Sequence, residues 1–117
     1  IIARIESLIL GKSIDGYLPM GPCIVTSDEI AYPPKLKIKS YVNGELRQDS
    51  TTDMMIHPIG EVISELSSYL TLRPGTIIAT GTPSGVGMGM NPPQFLKKGD
   101  EVVCEIQEIG ILRNTVR

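Results

Sequence analysis

Hydrophobic and polar positions along the chain fall into short blocks separated by turn residues. Leu36-Lys37-Ile38-Lys39-Ser40-Tyr41-Val42 alternates with period two, the pattern of a half-buried strand over 36–42. Asn43-Gly44 follows at once. That dipeptide supplies the two positive-φ residues of a type I′ turn, so a hairpin is expected, with residues 45–50 as the returning strand. Over 58–70 the period changes to that of a helix. Ile59, Val62, Ile63, Leu66, Tyr69 and Leu70 share one face, and Glu61, Ser64, Glu65 and Ser68 lie largely on the other. Pro58 suits the first turn, where a missing N–H costs nothing. Glu61 stands near the positive end of the helix dipole. Pro74-Gly75 then stops the helix.

Four further segments read as strands. These are 21–27 after a Gly-Pro turn, 76–80 (Thr-Ile-Ile-Ala-Thr, expected to be buried), 101–107 and 111–116, the last two joined near Gly110. A glycine-rich loop, 81–93, follows the buried strand. About six strands and one helix over 117 residues make a β-rich α+β domain. That length suffices for a core.

Composition narrows the function. Eleven basic residues stand against thirteen acidic ones, a formal net charge of −2, without the basic excess of a nucleic-acid domain. There is no Trp and only one Phe, so stacking platforms for single strands are not expected. No apolar run approaches the roughly 20 residues of a membrane span. The start, Ile1-Ile2-Ala3-Arg4-Ile5-Glu6, has neither the basic nor the apolar part of a signal peptide. It also lacks an initiator Met, which suggests that the natural chain begins earlier. Cys23 and Cys104 occupy apolar segments and are expected to be buried, reduced thiols of a cytoplasmic protein. No Cys/His cluster suggests zinc.

The candidate chemistry is thin when taken residue by residue. Gly11-Lys12-Ser13 lacks the earlier glycine of a phosphate loop, because Glu6 holds that position. Gly85-x-Gly87 lacks the third glycine of a dinucleotide fingerprint, because position 90 is Met90. His57, the only histidine, precedes a helix, where a capping or surface role outweighs catalysis. Asp28-Glu29 and Asp100-Glu101 are adjacent pairs, and Asp49 and Asp53 flank a polar loop. None has the close carboxylate spacing that a hard cation needs, and no metal ligand is assigned.

Taken in order, however, three segments carry more. Gly11-Lys12-Ser13-Ile14-Asp15-Gly16 with Pro19-Met20-Gly21-Pro22 resembles a segment of the fumarylacetoacetate hydrolase family. So does Val42-Asn43-Gly44-Glu45-Leu46-Arg47-Gln48-Asp49, followed by Asp53-Met54-Met55. The most specific runs from Leu72 through Pro74-Gly75 and Ile77-Ile78-Ala79-Thr80-Gly81-Thr82-Pro83-Ser84-Gly85-Val86-Gly87. The ending, Phe95-Leu96-Lys97-Lys98-Gly99-Asp100 through Gly110-Ile111-Leu112-Arg113-Asn114, also fits.

The resemblance implies a mixed β-roll or sandwich, commonly homodimeric, in metal-dependent enzymes of 2-oxo or 1,3-dicarbonyl acids. It implies Mg²⁺ (or Mn²⁺ or Ca²⁺) as cofactor, a small 2-oxo acid as partner, and neither nucleic acid nor membrane. By position, Lys12 is the catalytic cation that stabilises developing negative charge, and Thr82 binds the substrate carboxylate. Gly81 and Gly85 let the backbone approach the ligand. The family's Glu-x-Glu and Asp metal ligands precede its Gly-Lys-Ser segment and have no counterpart here. Residues 1–117 are therefore expected to be the C-terminal part of the catalytic domain, inactive alone. The implied reaction is isomerisation or decarboxylation of a 2-hydroxy-dienedioate, with acylpyruvate hydrolysis as the alternative. A non-catalytic β-domain or binding module is the alternative from another class.

Overall fold

A computed structural model describes residues 14–117. Its centre is one antiparallel sheet of four strands in the order β2-β1-β3-β4. The strands are β1 (Lys37–Val42), β2 (Glu45–Thr51), β3 (Glu101–Ile106) and β4 (Gly110–Thr115). The β-rich α+β class expected from the sequence is the one observed.

The hairpin forms where Asn43-Gly44 places it. Asn43 has φ 51° and Gly44 φ 81°, both in the region a type I′ turn demands. The register runs Val42↔Glu45 and Tyr41↔Leu46, then shifts to Ser40↔Gln48. Arg47 is the extra residue of that bulge. A bulge bends its strand and re-aims side chains, and here it lies beside the glycine-rich loop. On its other edge β1 pairs with β3, so β1 is central and its residues beyond Lys37 are all at least half-buried. Lys39 and Asp49, in register across the hairpin, stand 3.8 Å apart. Val103, in the middle of β3, is buried between Tyr41 and Arg113 of the neighbouring strands. Leu36 is the other buried apolar residue among the described ones. Its backbone is held by Thr52, whose hydroxyl accepts from the Leu36 amide and donates to the Pro34 carbonyl.

The helix α1 spans Ile59–Tyr69, within the expected 58–70. The Pro58 carbonyl accepts from Val62 N at 3.1 Å, so the proline sits at the cap, one residue earlier than expected. Ile59, Val62 and Leu66 are half-buried, but Ile63, Tyr69 and Leu70 are exposed. The apolar stripe is therefore wider than the surface it covers among the described residues.

Two expected strands are absent among the described residues. Segments 21–27 and 76–80 pair with no strand there, and Ile77 of the supposedly buried segment is 61% exposed. Apolar composition marks a segment that needs covering, but a strand exists only where a partner accepts its hydrogen bonds. The cysteines are also corrected. Both thiols are free, but Cys23 and Cys104 are exposed. Residue 104 lies next to the buried Val103 in β3, and successive strand residues face opposite sides of the sheet.

Candidate active site

The glycine-rich loop rests on β2, and the sequence makes that possible at two glycines. Gly85 has φ +103°, and a Cβ there would lie 2.0 Å from the Arg47 carbonyl oxygen. A Cβ on Gly87 would lie 1.9 Å from the Gln94 carbonyl oxygen. Any side chain at either position collides with backbone, so the loop closes over β2 and upon itself only with glycine. Gly87–Gly89 makes one 3-10 turn inside the loop. The Cβ side of Gly85 is filled by β2. Gly81 behaves differently. It has φ +103° as well, but among the described residues a Cβ there meets nothing within 4 Å.

Thr82, next to Gly81, is exposed and tethered. Gln48 Nε2 donates to Thr82 Oγ1 and to the Pro83 carbonyl, each at 2.8 Å. Gln48 Oε1 accepts from the Ser40 hydroxyl at 2.8 Å. Beside it, the bulged Arg47 is largely buried. Its Nη1 lies 2.8 Å from Met90 Sδ and its Nη2 3.2 Å from Glu45 Oε2, while Nε has no partner among the described residues. β2 thus holds the loop at both ends, through Gln48 at Thr82-Pro83 and through Arg47 at Met90.

Of the site residues expected from the sequence, Gly81 and Thr82 adjoin each other on this loop. Lys12 lies outside the described residues. Gln48 was missed, because a glutamine in a polar strand carries no chemical signature of its own. The turn register alone would set Arg47 opposite Ser40, and only the bulge brings Gln48 there.

The remaining titratable groups do not assemble a centre. His57 is exposed, 3.7 Å from Glu61, and makes a surface pair rather than a cap. The Thr26 side chain and its own backbone amide hold the Asp28 carboxyl below its usual value. Asp53 accepts from the Thr51 hydroxyl. No group of three or more His, Cys, Asp or Glu able to hold a metal ion occurs among the described residues. The described residues therefore do not fit a divalent cation. No helix among them is long and apolar enough to cross a membrane.

The chain is similar to known proteins over most of its length. It is 53% identical over 108 residues to the mitochondrial oxaloacetate tautomerase FAHD2B of Bos taurus, covering 92% of this chain and 34% of that protein. Among solved structures, it matches the fumarylacetoacetate hydrolase of psychrophilic Exiguobacterium antarcticum with TM-score 0.88 and 45% identity, over 92% of this chain and 39% of the other. It also matches the maleylpyruvate hydrolase of Sphingobium sp. SYK-6 in complex with manganese (II) ion and pyruvate, with TM-score 0.82 and 36% identity, over 95% and 39%. The chain thus spans about a third of the length of the curated relatives it matches. Tautomerase, isomerase and hydrolase are the activities these and other relatives carry in their names. Residues 2–117 match the family described as Fumarylacetoacetate (FAA) hydrolase C-terminal, and the chain belongs to that family of enzymes.

Proposed function

We propose that the whole protein carrying this chain isomerises a small 2-oxo dicarboxylic acid between its keto and enol forms through an enolate. The observation that supports this best is the tethered Thr82 beside Gly81, where a Cβ meets none of the described residues. A hydroxyl that already accepts one hydrogen bond is left with its proton to donate, which suits a carboxylate. The similarity to an oxaloacetate tautomerase supports a dicarboxylate of that size, and a 2-hydroxy-dienedioate is the larger candidate of the same chemistry. In this reading Thr82 anchors the substrate carboxylate. A proton then passes from the carbon beside the 2-oxo group to water, negative charge develops on the oxygen, and the Lys12 ammonium stabilises it. Reprotonation at oxygen gives the enol, and at carbon the ketone.

The manganese and pyruvate bound to the Sphingobium relative support a divalent cation in the family. The described residues of this chain offer no donor set for one. Carboxylates elsewhere in the whole protein would hold the ion, with Mg²⁺ or Mn²⁺ the first candidates. The partner in this reading is the 2-oxo acid, in a homodimeric, cytoplasmic enzyme. Hydrolysis of an acylpyruvate is the second reading, favoured by the likeness to maleylpyruvate hydrolase.

The test is a titration of Mg²⁺ or Mn²⁺ into the whole protein with oxaloacetate, a 2-hydroxy-dienedioate and an acylpyruvate. Metal-dependent enol–keto interconversion of a dicarboxylate is the expected result. C–C cleavage of the acylpyruvate alone would move the assignment to a hydrolase. No turnover of any of the three would defeat both.

A further inference from the structure

We propose that Gln48 is a positioning residue for substrate binding, one that turns the Thr82 hydroxyl proton outward. The inference rests on Thr82 meeting the substrate carboxylate, as proposed above. Pro83 fixes the orientation of the Gln48 amide. The Pro83 carbonyl can only accept, so the Gln48 group 2.8 Å away must be the amide nitrogen. That nitrogen carries two hydrogens and no usable lone pair. One hydrogen serves Pro83 and the other serves Thr82 Oγ1, also at 2.8 Å. Thr82 can therefore only accept from Gln48, and its own O–H must point elsewhere. Thr82 is exposed, so that direction is toward solvent.

With the nitrogen held by Pro83, the amide oxygen faces Ser40. Ser40 and Gln48 are opposite each other in the hairpin register, and the Ser40 hydroxyl donates to Gln48 Oε1 at 2.8 Å. Three hydrogen-bonding positions of the amide are used, and Pro83 decides between its two orientations: after a flip the Ser40 and Thr82 hydroxyls could reverse their roles, but the amide oxygen would face the Pro83 carbonyl oxygen. Gln48 is also half-buried, which protects the relay from competing water. The chain Ser40–Gln48–Thr82 thus converts the register of a hairpin into the orientation of one hydroxyl. An anion meets a donor there, not a lone pair.

Gln48→Glu tests the idea with nearly the same shape. A carboxylate accepts only, so the Thr82 proton would turn inward to it and present lone pairs to the substrate. In the whole protein, with oxaloacetate as substrate, KM should rise about tenfold or more, as for loss of a hydrogen bond to a charged group. kcat should change much less. In a Thr82→Val background, where no hydroxyl remains to be turned, Gln48→Glu should leave KM nearly unchanged. An equal rise in both backgrounds would show that Gln48 acts by another route and overturn the inference. So would an unchanged KM in Gln48→Glu when Thr82→Val alone raises it, and the reading of Thr82 would then stand. An unchanged KM in Thr82→Val alone would remove that reading, and the inference with it. Thermal melting checks folding. If Gln48→Glu does not fold, Gln48→Met, which keeps length and removes the donor, should raise KM only where Thr82 is present; no such rise overturns the inference.

Discussion

Asn43 and Asp100, 57 positions apart, are locked together: Asn43 Nδ2 donates to Asp100 Oδ1 at 2.9 Å. Asn43 Oδ1 accepts from the Glu101 amide at 2.9 Å, and Asp100 Oδ2 accepts from the Lys97 amide at 2.8 Å. The turn residue of the first hairpin thereby clips the entry to β3. The Asn43 side chain is the main cause that holds the Asp100 carboxyl below its usual 3.8, and the Lys97 amide is the next.

A pH dependence follows. A carboxyl whose folded pKa is depressed contributes stability that is present above its unfolded value and is lost as pH falls through the folded one. For Asp100 the loss therefore falls below 3.8. Asp100→Asn should melt at a lower temperature than the parent near neutral pH, and the gap should close in strong acid. A gap that is constant down to about pH 2 would mean that the charge contributes nothing.

Gly85 and Gly81 share φ +103° but differ in surroundings, and alanine scanning should separate them. Gly81→Ala adds a Cβ that meets none of the described residues and should cost only the left-handed strain, about 1 kcal/mol. Gly85→Ala adds a Cβ 2.0 Å from the Arg47 carbonyl and must push the loop off β2. A cost of about 3 kcal/mol or more is expected, since backbone cannot yield as a flexible side chain does. Urea unfolding of the whole protein measures both. Equal costs would contradict the contact between the loop and β2.

Much of the sheet was legible because its signals are local. Asn43-Gly44 specifies a turn by backbone conformation alone, and the alternation over 36–42 specifies a face. The helix was legible for the same reason, to within a residue of Pro58. The segment 76–80 was not, because its apolar residues state a need for cover without naming what supplies it. Cys104 was misplaced by one face of β3, since a run such as Val102-Val103-Cys104 is apolar on both sides and hides its period. In the site, the family motif marked Thr82 and Gly81 directly. Gln48 was invisible because its role is relational: it arises only when the bulge at Arg47 sets the register that brings Ser40 and Thr82 to its two ends.

Lys12→Ala in the whole protein should lower kcat by about 100-fold, the scale for losing one donor to a developing oxyanion. The Tm should stay close to the parent's, because the lysine is assigned to charge stabilisation and not to packing. Lys12→Arg should recover little, since a planar fork does not replace a compact ammonium. Turnover within a few-fold of the parent in Lys12→Ala would remove the lysine from the mechanism.

Removal of metal should separate activity from the stability of this sheet. In the proposed enzyme, a chelator abolishes turnover, and added Mg²⁺ or Mn²⁺ restores it. The four strands, however, are held by the pairing of β1 with β2 and β3, by buried Val103 and Leu36, and by the Asn43–Asp100 clip. None of these contacts needs an ion, and no cluster of ligating side chains occurs among the described residues. Amide hydrogen exchange in β1 and β3 should therefore be nearly the same with and without chelator while turnover is lost. Deprotection of those central strands on chelation would show that the sheet itself depends on the ion, and would place a metal contact within the described residues.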